Sequence, residues 1–174
     1  QWSGMTASQK TALVSEAVLD YLRGDQSCEV TSTASCAFSK NYRQRSSVLG
    51  DIINSGPIYV SAPSMPYSFD GYETWKSSSV KNRTPMVYVG ANDGMLHAFN
   101  ATVTAAGGTI TGTTGTEMFA YIPSMVFSGL STYASPLYQH KYFVDGTPVQ
   151  GDVFDGGSWH TMLVGGLRGG GQGV

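Results

Sequence analysis

The spacing of hydrophobic positions changes along this chain. Between residues 6 and 22 the apolar residues recur at intervals of three and four, which is the period of one helical face. Thr6 and Gln9 can form a capping box at the start of this segment, and Gly24 can end it. The pattern predicts one amphipathic helix. Its buried face would consist of Leu13, Val14, Ala17, Val18, Tyr21 and Leu22.

From residue 48 onward, short apolar runs alternate with turn residues. Asp-Gly pairs, which favour tight turns, begin at Asp70, Asp93, Asp145 and Asp155. Many short strands with such turns are typical of an all-β protein. The predicted strands are residues 57–60, 86–89, 96–99, 118–122, 142–144 and 162–164.

Residues 85–101 contain a complete β-hairpin pattern, PMVYVGANDGMLHAFNA. Two alternating apolar runs flank an Asn-Asp-Gly turn, and the second run ends in His97-Ala98-Phe99. This hairpin resembles the blade signature of quinoprotein-like β-propellers. The fold class that we expect is therefore mainly β, a propeller fragment with its first blade and the start of the next, preceded by one amphipathic helix. A compact β arrangement that is not a propeller is the alternative.

Four further segments narrow the resemblance, namely residues 42–60, 120–124, 139–148 and 163–167. In this order they resemble the start of the C-terminal propeller of the PilC/PilY family, the tip-associated adhesins and assembly factors of bacterial type IV pili. The resemblance implies a non-enzymatic protein in pilus biogenesis and adhesion, located in the periplasm, on the outer surface or at the pilus tip. It also implies minor pilins or the pilus tip as partners, and a host-cell surface receptor as a further one.

The family resemblance implies calcium only in the full-length protein, in an EF-hand-like loop later in the propeller, and no cofactor in this chain. Two alternatives share the fold. The first is a fragment of a quinoprotein dehydrogenase, which would need vicinal cysteines that the chain does not contain. The second is a structural propeller that scaffolds an outer-membrane assembly.

Composition excludes two classes of partner. Charged residues make up 13% of the 174 residues and the net charge is −2, without the basic cluster that nucleic acid requires. No apolar run reaches the length of a membrane span. We expect residues 1–41 to form the helix and a disulfide-bearing linker, and residues 42–174 the N-terminal part of the propeller, truncated at the C-terminus. The segment that starts at Gln1 lacks the basic start and the apolar core of a signal peptide. We therefore expect the N-terminus to be internal to a longer precursor.

Cys28 and Cys36 are the two cysteines, and they lie in a Ser/Thr-rich stretch. A second pair that would complete a zinc site is absent from the sequence, which favours a local disulfide. Such a bond persists in an oxidising compartment such as the periplasm or the cell surface. Two free buried thiols are the alternative.

Arg23-Gly24-Asp25 is the tripeptide that integrins recognise, and it is the candidate receptor-binding site. The same residues have a structural explanation. A cation and then a glycine are favoured where a helix ends, so the end of the predicted helix accounts for Arg23 and Gly24.

The aspartates and histidines offer weaker candidates. Asp145, Asp152 and Asp155 could share a cation, but the calcium-loop spacing is absent and turn formation explains Asp145 and Asp155 better. His97, His140 and His160 are widely spaced in the sequence, and we expect structural roles for them.

The sequence also supports predictions for three further segments. Phe69, Tyr72 and Trp75 form an aromatic loop that either binds a ligand, such as a carbohydrate, or packs onto the propeller face, which we favour. Residues 102–116 are either a long hairpin extension or a mobile insert in the blade, and we favour the insert. Residues 123–133 are expected to form a short helix capped by Ser124, with Val126, Phe127 and Leu130 on one face.

Overall fold

The computed structural model describes residues 2–38, 41–104, 109–110 and 113–174. The chain starts with two short helices where the sequence predicts one: α1, Ala7–Leu13, and α2, Glu16–Leu22. The capping box of Thr6 and Gln9 is confirmed. The single helix is wrong because Val14 adopts a left-handed φ of 72° and the Ser15 side chain accepts a hydrogen bond from the Val18 amide, which starts a new helix. Val14 is consequently 72% exposed.

The main sheet has four antiparallel strands in the order β1-β2-β3-β6. They are β1, Ile58–Val60; β2, Met86–Gly90; β3, Leu96–Asn100; and β6, Glu117–Tyr121. The predicted hairpin forms the centre of this sheet, with Met86 opposite Asn100 and Gly90 opposite Leu96. The register between β3 and β6 shifts between Ala98 and Phe99, where the sheet has an irregularity of the β-bulge type.

Two hairpins complete the β structure. Between β3 and β6, strand β4, Val103–Thr104, pairs with β5, Thr109–Ile110. The described part of residues 102–116 is thus a hairpin extension, the alternative that we did not favour, while residues 105–108 and 111–112 lie outside the described residues. The second hairpin joins β7, Val149–Asp155, to β8, Ser158–Val164. Gly156 and Gly157 form its turn, and both have positive φ as a two-residue turn requires.

Two further predicted elements differ from the structure. Residues 142–144 do not form a strand, because the amide of Phe143 donates to Asn92 Oδ1 (3.0 Å) instead of to a neighbouring strand. The helix at residues 123–133 is present as a 3₁₀ turn, Ser124–Val126, followed by α4, Phe127–Tyr133. Ser124 makes no side-chain cap, contrary to the prediction, whereas Val126 and Leu130 are buried as expected.

The hydrophobic core joins the N-terminal helices to the β structure. Helix α1 packs against α4, and the fully buried Leu13 and Leu130 belong to one cluster with Val18, Leu22, Met95, Tyr133, Phe143 and Leu167. A further short helix, α3, Tyr72–Lys76, lies between β1 and β2 in the chain. The domain boundary after residue 41 stays a prediction, and the helices before it share their core with the segments after it.

Candidate functional site

A carboxylate–histidine cluster lies beside the turn of the central hairpin, with Asp93 and His97 buried and the Glu117 side chain exposed. His97 Nε2 lies 3.1 Å from both carboxylate oxygens of Asp93, and His97 Nδ1 lies 2.6 Å from Glu117 Oε1. Burial of the ring lowers its pKa, but the hydrogen bonds and charges of Asp93 and Glu117 outweigh this effect and raise the pKa of His97 above its ordinary value. Asp93 also accepts hydrogen bonds from the amides of Gly50 (2.8 Å) and Met95 (3.1 Å). This histidine is therefore locked in place.

The segment after residue 48 is attached to the hairpin and to the following loop by polar side chains. Asn92, which is buried in the turn, donates from Nδ2 to Asp51 Oδ2 (2.8 Å), and His140 Nε2 lies 2.9 Å from the same oxygen. Asp145 accepts hydrogen bonds from the amide and the side chain of Asn54, at 3.2 and 2.8 Å. These contacts position two of the segments on which the family resemblance rests, residues 42–60 and 139–148.

The three candidate calcium aspartates have separate partners. Asp145 binds Asn54, whereas Asp152 accepts hydrogen bonds from Tyr72 and Thr161. In the part of the chain that the structure describes, no group of three or more His, Cys, Asp and Glu side chains could hold a metal ion. Of the two predicted turns, Asp155 precedes a glycine with positive φ, whereas Gly146 has no positive φ and instead lies against the backbone of Gly166.

The candidate receptor tripeptide lies at the end of α2. Arg23 and Asp25 are exposed, and Gly24 has a φ of 109°, which fits the helix-terminating role expected from the sequence. The Asp25 carboxylate accepts hydrogen bonds from the amide and the hydroxyl of Ser27, at 2.8 and 3.0 Å. Its role in receptor binding stays a prediction.

The predicted disulfide is present between Cys28 and Cys36. Beside it, Tyr42 donates its amide to the carbonyl oxygen of Cys28 (3.1 Å) and accepts at its own carbonyl oxygen from the amide of Val30 (2.9 Å). These two backbone contacts connect the disulfide loop to the start of the segment that resembles the family.

The aromatic loop packs onto the second hairpin. Tyr72 is fully buried with its ring centroid 4.8 Å from that of Trp159, and Trp75 is half-buried, while Phe69 stays 67% exposed. Burial and the hydrogen bond to Asp152 raise the pKa of Tyr72 to about 12. The packing interpretation holds for Tyr72, and the exposed ring of Phe69 borders an open groove that also contains Trp159.

A four-stranded antiparallel sheet followed by a second hairpin is the arrangement of a β-propeller blade and the start of its neighbour. The chain is thus a mainly β, partial propeller. A family model described as the PilY1 β-propeller domain matches residues 49–174, and the chain belongs to this family.

Its relatives include the type IV pilus biogenesis factor PilY1 of Pseudomonas aeruginosa strain PAK, which is 43% identical over 163 residues, or 88% of this chain and 12% of the relative. A PilY1 homolog of Xylella fastidiosa strain Temecula1 is 38% identical over 174 residues, or 95% of this chain and 13% of the relative. The crystal structure of the P. aeruginosa PilY1 C-terminal domain is 38% identical, with a TM-score of 0.44 over 65% of this chain and 20% of that chain. The chain therefore spans about an eighth of the length of these curated relatives.

None of the helices in the described part of the chain has the length and hydrophobicity needed to cross a membrane. Sequence reasoning missed Glu29 and Arg45, which form a buried ion pair, and Asn92, which anchors the hairpin turn. The sequence carried a signal for Glu29 alone, because no other charged residue lies between Asp25 and Lys40. In a chain with only 13% charged residues, a charged residue inside an otherwise uncharged segment is a candidate for a specific partner.

Proposed function

We propose that this chain is part of a type IV pilus biogenesis factor and acts by binding, without catalysis. The observation that carries the proposal is the family match over residues 49–174, together with relatives that are named type IV pilus biogenesis factors. Since the chain spans about an eighth of those relatives, the role of the whole protein is inferred from them.

The polar clusters support a role without catalysis. The carboxylate of Asp93 is surrounded by two amide donors and the ring of His97, and the carboxylate of Asp145 by two donors of Asn54. Both carboxylates tie loop segments to the hairpin and its neighbours, which accounts for them by a structural role.

Adhesion at the cell surface or the pilus tip is the finer part of the proposal. The disulfide between Cys28 and Cys36 supports an oxidising, extracytoplasmic location. The exposed side chains of Arg23 and Asp25, on a turn held by the core, support contact with a host-cell receptor. Minor pilins or the pilus tip are the partners that we propose for assembly. Calcium in the full-length protein is a further proposal.

The test uses the bacterium that carries the gene, with the full-length gene deleted and then restored. Loss of surface pili, with pilin retained inside the cells, is the result expected for an assembly role. Intact pili with weakened adhesion would make the protein chiefly an adhesin, and no change in either would overturn the proposal.

The receptor candidate is tested in the restored strain. Asp25→Glu keeps the charge but lengthens the side chain, so we expect normal surface pili and reduced attachment to host cells. Glu16→Asp, an exposed acidic change at the start of α2 and outside the tripeptide, is the matched control and should not alter attachment. Equal attachment by both variants would remove the tripeptide from the proposal.

A further inference from the structure

An aromatic groove of about 850 Å³ runs beside the β7–β8 hairpin. Its aromatic walls are Tyr67, Phe69, Phe154 and Trp159, and its carboxylates are Asp70 and Asp152. None of the described residues that line it is basic. The groove therefore combines flat apolar surfaces with negative charge.

Asp152 is the buried carboxylate of this groove, with a residue exposure of 6%. Tyr72 donates its hydroxyl to Asp152 Oδ2 (2.7 Å), and Thr161 donates its hydroxyl to Asp152 Oδ1 (2.7 Å). Among the described residues no cationic group forms a salt bridge with it. The guanidinium of Arg83 donates to the carbonyl oxygen of Ser61 and to Thr161 Oγ1 (2.7 Å), so the Thr161 hydroxyl lies between it and the Asp152 carboxylate. Asp152 thus has two hydroxyl partners but no ion pair of its own, and a cation in the groove would stabilise its charge further.

The rings around Trp159 offer a second attraction for a cation. The centroids of Tyr67, Phe69 and Phe154 lie 6.1, 6.3 and 5.5 Å from that of Trp159. Phe69 and Phe154 are 67% and 59% exposed, so their surfaces are open to a ligand. Aromatic faces attract ammonium and guanidinium groups, and tryptophan does so most strongly.

Asp70, which carries the second carboxylate, is held at the rim of the groove. Trp159 donates its indole N–H to the backbone oxygen of Asp70 (3.2 Å), which fixes that residue beside the rings. The Asp70 side chain is exposed, and no hydrogen bond or ion pair of its carboxylate is found within the described residues. It is therefore free to contact a ligand.

We propose that this groove binds an extended peptide segment of a partner protein that presents a lysine or arginine flanked by apolar residues. The carboxylates of Asp70 and Asp152 would face the cation, and the rings would cover the aliphatic stem and the apolar neighbours. A neutral saccharide could also stack on the rings, but it would make no use of the negative charge of Asp70 and Asp152. This inference concerns a new site and does not depend on the pilus assignment.

The test is an NMR titration of the 174-residue chain labelled with ¹⁵N, read at the tryptophan indole N–H signals. The signals are assigned by elimination in Trp2→Phe and Trp75→Phe. The probes are the blocked peptides Gly-Leu-Lys-Leu-Gly and Gly-Leu-Gln-Leu-Gly, with cellobiose as the saccharide. We expect the lysine peptide to shift the Trp159 signal with saturation, and the glutamine peptide to bind about tenfold more weakly because it lacks the charge-assisted contacts.

Two variants distinguish the contribution of the charge to peptide binding from that of the apolar surface. Asp70→Asn, which leaves the backbone bond to Trp159 in place, should weaken the lysine peptide about fivefold or more. Asp155→Asn, an exposed change on the same hairpin outside the groove, is the control and should bind as the parent does. Equal affinity for both peptides, saturation by cellobiose in preference to the lysine peptide, or no saturation by any probe up to about 10 mM would each overturn the proposal.

Discussion

Arg45 and Glu29 form an ion pair that is almost completely buried, with Arg45 Nε donating to Glu29 Oε1 at 2.7 Å. The same guanidinium donates to the carbonyl oxygens of Tyr21 (2.8 Å) and Asp25 (3.0 Å), and its centre lies 3.6 Å from the centroid of the Tyr21 ring. One side chain thus connects α2, the turn with the candidate receptor tripeptide, and the disulfide loop. Its full set of partners explains how a charged group is accommodated in the interior.

Replacing Arg45 should therefore destabilise the fold strongly. In Arg45→Met the carboxylate of Glu29 stays buried without its partner, and we expect the free energy of unfolding to fall by about 3–5 kcal/mol. Urea unfolding followed by circular dichroism measures this change. The double variant Arg45→Met/Glu29→Met should recover part of the loss.

The matched control is Arg23→Met, because Arg23 is exposed and its pair with Asp20 is long, at 3.9 Å. We expect this change to cost less than about 0.5 kcal/mol. A loss in Arg45→Met no larger than in the control would show that the buried pair does not hold these segments together.

The disulfide should stabilise the fold by restricting the conformations of the unfolded chain. Reduction of Cys28–Cys36, which are separated by eight positions, should lower the free energy of unfolding by about 2–3 kcal/mol in the chain-entropy model. Mass spectrometry after iodoacetamide treatment of denatured protein, isolated from an oxidising compartment, should show no added label before reduction and two after it. Two labels before reduction would contradict the extracytoplasmic argument.

Gly146 should tolerate no side chain. A Cβ at this position would collide with the carbonyl oxygen of Gly166, so Gly146→Ala must shift the backbone, and we expect a loss of about 2 kcal/mol or more. Gly151→Ala on β7 is the control, because its Cβ would meet open space and its φ is not positive. Thermal unfolding of both variants distinguishes the effects, and equal melting temperatures would refute the steric argument.

His97 should make stability depend on pH. Its folded-state pKa is raised above the unfolded value of about 6.5, so its contribution is fully present below that pH and is lost as pH rises through the folded-state pKa. We expect the free energy of unfolding of the parent, relative to His97→Gln, to be larger at pH 6 than at pH 9. A difference for His97→Gln that is constant across this range would contradict the prediction.

Local patterns predicted the central hairpin well. The Asn-Asp-Gly turn, the alternation on both sides and the capping box of Thr6 each depend on neighbours within a few residues. The break at Val14 could not be predicted from the spacing of the apolar residues. This spacing stays that of one helical face both before and after Val14. The reason for the break lies in the cap that Ser15 makes and in the packing of Leu13, which belongs to the core cluster.

The polar contacts of the site could not be predicted from spacing, since they join distant residues. Asn54 and Asp145 are 91 positions apart, and Tyr72 and Asp152 are 80 apart. Residues 142–144 have the apolar pattern of a strand, and the contact that prevents a strand there also joins distant residues. Their apolar pattern serves a buried connection that is anchored to Asn92, and the sequence alone does not reveal that partner.

The bond between Asn54 and Asp145 also has a consequence for the order of folding. Closing a chain loop of 91 positions costs about 3 kcal/mol more in entropy than closing a hairpin turn of about four residues. Loop closure over ten residues takes only tens of nanoseconds, so the β2–β3 hairpin can form early, whereas the segment before β1 must wait until the connection at Asp145 is in position. We expect residues 48–57 to be the last part of the blade to gain protection from hydrogen exchange during refolding.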